Sequence, residues 1–324
     1  MKLRIYRYHS IFLFQVFSVN QDRFLKTRVL LGKGRNMIYL LFNPLANNSK
    51  GEADARVWAN ENNVECQYVD LLKTQDMKTF IDGLKKEDEV ILTGGDGTLN
   101  RFANDVYGME LKVPVYYVKC GSGNDFFRDN EKYVKDGKID LRPFLKDLPL
   151  ITVNGIQRRF LNGIGYGLDG ETCKAGDEQK LHSDKPVNYT NIAIKLLLGG
   201  YELKKATVTV DGETNTYENV WLASTMKGRY YGGGLMVAPN QDRFADDHKV
   251  SVVALYKKSR LITLMRFPSL NKGEHVLKKD WVTVKRGHKV KVSFDKPCAL
   301  QIDGDVIDNV TSYVVETGFE DGKL

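Results

Sequence analysis

The 324-residue sequence has little cysteine, and its four residues (Cys66, Cys120, Cys173 and Cys298) lie far apart with no Cys-x-x-Cys pair. That spacing excludes a disulfide framework and provides no zinc ligand set; reduced thiols of a cytosolic protein fit it. Long apolar runs are also missing, since no window reaches the ~18 to 20 residues that a membrane-spanning helix requires. No RNP signature, zinc finger or helix-turn-helix is present, so nucleic acid is not a favoured partner. His248, His275 and His288 lack triad spacing, and surface positions suffice for them. Internal repeats and low-complexity tracts are absent.

Hydrophobic residues make up 42% and charged residues 27%, a globular balance, and the length suits two domains. The net charge of +7 is unevenly spread, with 13 Lys/Arg against 3 Asp/Glu between Lys249 and Lys296. Such a stretch is either a solvated face or attracted to an acidic surface, of which a membrane is the better choice. At the N-terminus Lys2, Arg4 and Arg7 precede a short apolar run, Ile11 to Val19, but no small-residue cleavage site follows. Residues 1–36 are expected to be an extension outside the fold, which opens at Met37. A membrane-touching amphipathic segment is the alternative.

From Met37 short apolar runs alternate with helical stretches. Strands are expected at Ile38–Phe42, Val64–Val69, Glu89–Thr93 and Val115–Val118, with helices at Glu52–Asn62, Gln75–Lys86 and Leu99–Tyr107. That alternation predicts a doubly wound α/β domain over residues 37–148, with ligands at the carboxyl ends of its strands. After Leu148 the pattern changes to alternating β-branched, aromatic and polar residues with recurrent turn dipeptides. This predicts a β-rich sandwich domain over residues 149–305, interrupted by a helix near Tyr189–Leu198, while residues 306–324 are open to a return into the first domain.

The strongest local signal is Gly94-Gly95-Asp96-Gly97-Thr98, set between a strand and a helix. Glycines let the backbone approach a bulky anion, and the free N–H groups of the following helix favour phosphate. Asp96 in such a place suggests Mg²⁺ or catalysis, though it would also serve as a helix cap. Gly121-Ser122-Gly123-Asn124-Asp125 follows the next strand; alone, it reads equally well as an ordinary helix cap.

These residues resemble the diacylglycerol kinase catalytic-domain family of lipid kinases, related to sphingosine kinases and NAD kinases. Asn43-Pro44 with Gly51 is similar to the family's opening element, Gly94–Thr98 to its GGDGT loop, and Gly121–Asp125 to its GTGND loop. Further along, Asn162 through Asp169, Gly232-Gly233-Gly234 with Ala238-Pro239, and Asp303-Gly304-Asp305 resemble later family motifs in family order. Arg101 stands where the family usually has Glu, His248 where many members have Gly, and Asp305 where they have Glu.

The resemblance implies an NAD-kinase-like first domain and an ATP-dependent lipid kinase, with diacylglycerol as the expected acceptor and phosphatidic acid as the product. It implies that Asn43, Gly94, Gly95, Gly97, Thr98 and the Gly121–Asp125 loop hold ATP, that Asp96 acts in catalysis and with Mg²⁺, and that Asp303 is the general base. A further Mg²⁺ would involve Asp247, which reads alternatively as a turn residue. Asp169 stays open between a cleft residue and a turn cap, and Tyr230-Tyr231 between a lipid entrance and ordinary packing. A cytoplasmic enzyme touching anionic membrane through a basic face at Lys257, Lys258 and Arg260 is expected, with a homodimer left open. The alternatives are a kinase of a sphingoid base, ceramide or NAD, and a non-catalytic nucleotide-binding regulator of the same fold.

Overall fold

The computed structural model describes residues 36–74, 76–120, 124–183 and 187–318. The expected extension over residues 1–36 therefore lies, apart from Asn36, outside the described residues. Strand β1 (Ile38–Phe42) has its last four residues buried, as a central parallel strand covered on both faces must. It lies between β2 (Gln67–Asp70) and β3 (Glu89–Gly94), and β4 (Val115–Lys119) extends the parallel set. The short antiparallel β5 (Ile139–Asp140) completes the order β2-β1-β3-β4-β5.

Helix α1 (Gly51–Glu61) buries Ala55 and Ala59, spaced four apart on one face, in a cluster with Leu40, Phe42 and Ile91. Helix α2 (Met77–Asp82) starts at Asp76, whose carboxylate accepts from the Thr79 N–H at 3.1 Å. Helix α3 (Asp96–Val106) and the short α4 (Asp125–Asp129) leave the ends of β3 and β4. Both strand ends thus open onto helix starts at one edge of the sheet.

The second sheet is antiparallel. A hairpin, β6 (Leu150–Val153) and β7 (Ile156–Arg159), turns at Asn154-Gly155, whose φ angles of 47° and 77° suit a two-residue hairpin loop. The other strands are β8 (Gly163–Tyr166), β9 (Lys204–Val210), β10 (Glu213–Met226), β11 (Val250–Tyr256), β12 (Val282–Gly287), β13 (Lys289–Ile302) and β14 (Asp305–Glu316). Strands β10 and β13 pair with β9 over one half and with β8 over the other, and between the halves their pairings with β11 and β14 shift register. Those irregularities bend the sheet over a core in which Tyr166 stacks on Phe294 at 4.1 Å.

Three expectations change. Residues 306–316 do not return to the first sheet; as β14 they pair with β13 and β6, because Val310, Tyr313 and Val315 belong to the second core. Helix α5 (Leu168–His182), absent from the sequence reading, follows β8, and helix α6 (Tyr189–Lys195) runs into a wider turn at Leu196–Gly200. His275 is fully buried instead of on the surface, its Nε2 lying 2.9 Å from the Val237 carbonyl.

Candidate active site

The site is assembled where α3 and α4 meet two turns of the antiparallel sheet. At the end of β3 the backbone of Gly94 takes φ 148°, and a Cβ there would lie 2.7 Å from that of Thr98. Only glycine fits that approach. Gly95 then caps α3 in extended conformation. A Cβ on Gly97 would come within van der Waals reach of the Asp305 carboxylate at 3.8 Å and the Asp303 carbonyl at 4.0 Å, so the loop lies directly against the β13–β14 turn.

Asp96 joins the parts. Its carboxylate accepts from the backbone N–H groups of Asp125 at 2.8 Å and Phe126 at 2.9 Å, and from Asn162 Nδ2 at 2.9 Å. Helix α4 therefore receives its N-terminal cap from another helix, since Asn124 at the cap position has φ 52° and makes no side-chain cap bond. Asn162 bridges onward, its backbone N–H donating to Asp303 Oδ1 at 2.9 Å.

Asp303 and Gly304, with φ 46° and 99°, form the two-residue turn of the β13–β14 hairpin. The Asp303 carboxylate turns inward and is 5% exposed. Asn100 Nδ2 and the Leu161 N–H donate to Oδ2, and the Asn162 and Gly163 N–H groups to Oδ1, at 2.7 to 2.9 Å. Burial pushes its carboxyl above the ordinary range, against the pull of those N–H groups, and Asp96 adds to the rise. Asp305 differs: its carboxylate is 54% exposed and pairs with Arg158 at 2.6 Å. The Arg158 guanidinium also donates to Asn100 Oδ1, linking α3, β7 and the hairpin.

Asp125 is buried beside Asp96. Its Oδ2 accepts from the Gly233 N–H at 2.8 Å, while Oδ1 has no hydrogen-bond partner among the described residues. Burial, reinforced by Asp96, raises its carboxyl to about 7. Asp169 opens α5 as a buried residue bonded to Gln301 at 2.9 Å, with burial raising its carboxyl to about 6. Tyr231 is buried and bonded to Ser224, which gives it a packing role.

The other expected residues divide. The Asn43 side chain closes its own turn by accepting from Leu45 N at 3.0 Å, and a Cβ on Gly51 would lie 1.9 Å from the Asn43 carbonyl oxygen. Gly121, Ser122 and Gly123 lie outside the described residues. Asp247 pairs with Arg286 at 3.0 Å and shares no hydrogen-bond partner with Asp96. Among the described residues no group of three or more His, Cys, Asp or Glu is placed to hold a metal. Arg101 points outward toward Asp105.

Sequence reading missed Asn100 and Arg158. Asn100 stands four residues after Asp96, one helical turn along the same face, and a fully buried asparagine needs partners. That spacing was the available signal. Arg158 carried none, because its partners come from remote parts of the chain.

Residues 37–140 match the family described as "Diacylglycerol kinase catalytic domain", and residues 162–316 match "YegS C-terminal NAD kinase beta sandwich-like domain". A diacylglycerol kinase of Mycobacterium tuberculosis is 28% identical over 215 residues, covering 64% of this chain and 67% of that protein. The fold is also similar to a crystal structure from Bacillus anthracis described as a diacylglycerol kinase, with TM-score 0.54 and 16% identity over 87% of this chain and 93% of that one. The family match and the named relatives make the protein a phosphotransferase with an alcohol acceptor. The chain belongs to the bacterial diacylglycerol-kinase-like family of lipid kinases, and that membership implies ATP as the phosphoryl donor.

Proposed function

We propose that the protein transfers the γ-phosphoryl group of ATP to the free hydroxyl of diacylglycerol, giving phosphatidic acid. The observation that carries the reading is the Asp96–Asn162–Asp303 connection, which ties the glycine loop to the late hairpin. Phosphoryl transfer needs positioning and charge neutralisation more than covalent help. In this reading Gly94–Thr98, with the start of α3 behind it, receives the phosphates, and the loop through Asn124 and Asp125 flanks them.

Asp96 and Asp125 lie side by side and Asp305 borders Gly97, so a triphosphate bound at the loop needs a cation to offset the negative charge. The residues fit Mg²⁺: among the described residues Asp125 Oδ1 is buried without a partner beside the Asp96 charge, and three donors leave Asp96 one of about four acceptor directions. Bound there, Mg²⁺ would supply neutralisation of phosphate charge. Asp247 would take no part in holding it.

Asp303 is the proposed general base. Its raised carboxyl suits proton acceptance, and receiving the hydroxyl requires exchanging one of its four N–H donors for it. Asp305 is a second reading, favoured by its exposure and its approach to Gly97. The acceptor is tested by incubating the protein with labelled ATP, Mg²⁺ and a panel of diacylglycerol, sphingosine, ceramide and NAD. Label in phosphatidic acid is expected. Label in another member of the panel, or ATP binding without transfer to any, would overturn the reading.

A further inference from the structure

Four large apolar side chains are left exposed on neighbouring pieces of the β-rich half. They are Leu198, 58% exposed on the wide turn after α6; Leu261 and Met265, 65% and 66% exposed on helix α7 (Arg260–Arg266); and Leu277, 76% exposed on the turn Glu274–Leu277. Leu261 and Met265 are four apart and so share one helical face. Leu264 and Phe267 on the same segment pack inward against the cluster around Trp221 and Trp281. The helix is firmly placed. Arg260 donates to the carbonyls of Leu197 at 2.8 Å and Tyr201 at 2.7 Å, and Ser259 caps the first turn. The exposed face is therefore a property of the ordered fold.

Its surroundings are basic. From Lys257 to Asp280 there are seven Lys/Arg against two acidic residues, Glu274 and Asp280. The expected basic trio contributes less than its sequence suggested, because Arg260 is engaged by backbone carbonyls and Lys258 pairs with Asp280 at 2.8 Å. Lys272 and Lys279, before and after the Glu274–Leu277 turn, are exposed.

The elements that carry this surface are bonded to a loop that leads toward the carboxylates of the site. The Met236 N–H donates to the Leu270 carbonyl at 2.9 Å, and His275 bonds to the Val237 carbonyl. A few residues earlier in the same loop, the Gly233 N–H donates to Asp125. One short loop thus connects the apolar-basic face to the carboxylates of the site.

We propose that Leu198, Leu261, Met265 and Leu277, with Lys272 and Lys279, form the surface through which the protein docks on an anionic phospholipid bilayer. The apolar tips enter the acyl boundary, and the lysines meet the headgroup charge. The proposal rests on the lipid-kinase reading, since the acceptor's acyl chains are held in a membrane.

Sedimentation of the full chain with vesicles of phosphatidylcholine and phosphatidylglycerol tests it, compared with phosphatidylcholine alone. Lys272→Ala and Lys279→Ala should each weaken binding to the anionic vesicles by roughly five-fold, and additions of salt should do the same. Leu261→Asp with Met265→Asp should abolish binding. Transfer to a short-chain, water-soluble diacylglycerol should stay at the wild-type rate in every variant. Unchanged sedimentation of the Leu261/Met265 variant would overturn the docking surface, as would self-association of the wild type through this face without vesicle binding. Lost transfer to the soluble acceptor in the wild type would count against the acceptor instead, leaving the sedimentation result to decide the surface.

Discussion

The parallel and antiparallel sheets contribute to the same hydrogen-bonded cluster in different ways. In the parallel half, Gly94–Thr98 and Asn124–Asp125 stand at the ends of consecutive strands, so chain order and spatial order agree. In the antiparallel half, Arg158, Asn162 and Asp303 come from β7, the start of β8 and the β13–β14 turn, and only the bent sheet brings them together. A site half can thus be continuous in sequence where strands run parallel with local crossovers, and scattered where long strands fold over on themselves.

If the antiparallel half holds its position through Asp303, removing that acceptor should be the most damaging single change. Asp303→Ala strands four N–H donors in a buried place and is expected to lower unfolding stability by about 3 to 5 kcal/mol in urea titration. A smaller loss is expected at the other bridge between the halves. There Asp129 accepts from Arg243 at 2.8 Å and Arg229 at 2.6 Å. Burial alone would push the Asp129 carboxyl up; the Arg243 and Arg229 guanidiniums more than reverse it, so it stays ionised. Arg243→Met should cost about 2 to 3 kcal/mol, less than a full unpairing because Arg229 remains.

A pH titration sharpens the comparison within the parallel half. The Asp125 carboxyl is near 7 in the folded protein and about 4 in the unfolded chain. The folded state therefore holds the proton more tightly, and stability from this group is full below about pH 4 and lost as pH rises to about 7. Asp125→Asn removes that slope. The difference in stability between variant and wild type should move in the variant's favour from pH 5 to pH 8, and equal slopes would show that Asp125 is not buried beside Asp96. Asp247→Ala should have the smallest effect, leaving the thermal midpoint unchanged within error, because its ion pair with Arg286 is solvent-exposed.

Much of the parallel half was legible. The strand expected at Ile38–Phe42 has those bounds, and a buried parallel strand announces itself as a continuous apolar run. Helix α5 was not legible, because Gly170 and Gly176 interrupt a mostly polar segment. Their reason is tertiary: a Cβ on Gly170 would lie 2.1 Å from the Ala299 carbonyl oxygen, so glycine lets the helix lie against β13. Residues 306–316 were open to the wrong sheet because a strand's partner is a long-range choice that its own alternation does not encode. At the site, motif spacing located Asp96 and Asp303 but gave no side-chain direction. The inward turn of Asp303, the outward turn of Asp305 and the Arg286 partner of Asp247 are all set by neighbours far along the chain.

In the proposed function the hairpin carboxylate at residue 303 takes the acceptor's proton beside the glycine loop that receives ATP. The most direct measurement is phosphoryl transfer to diacylglycerol by Asp303→Asn and Asp305→Asn, at a temperature where circular dichroism shows both folded, with ATP affinity measured alongside. Transfer lost in Asp303→Asn with ATP affinity near wild type, and only reduced in Asp305→Asn, is the expected outcome. Full turnover by Asp303→Asn, with transfer lost instead in Asp305→Asn, would contradict it.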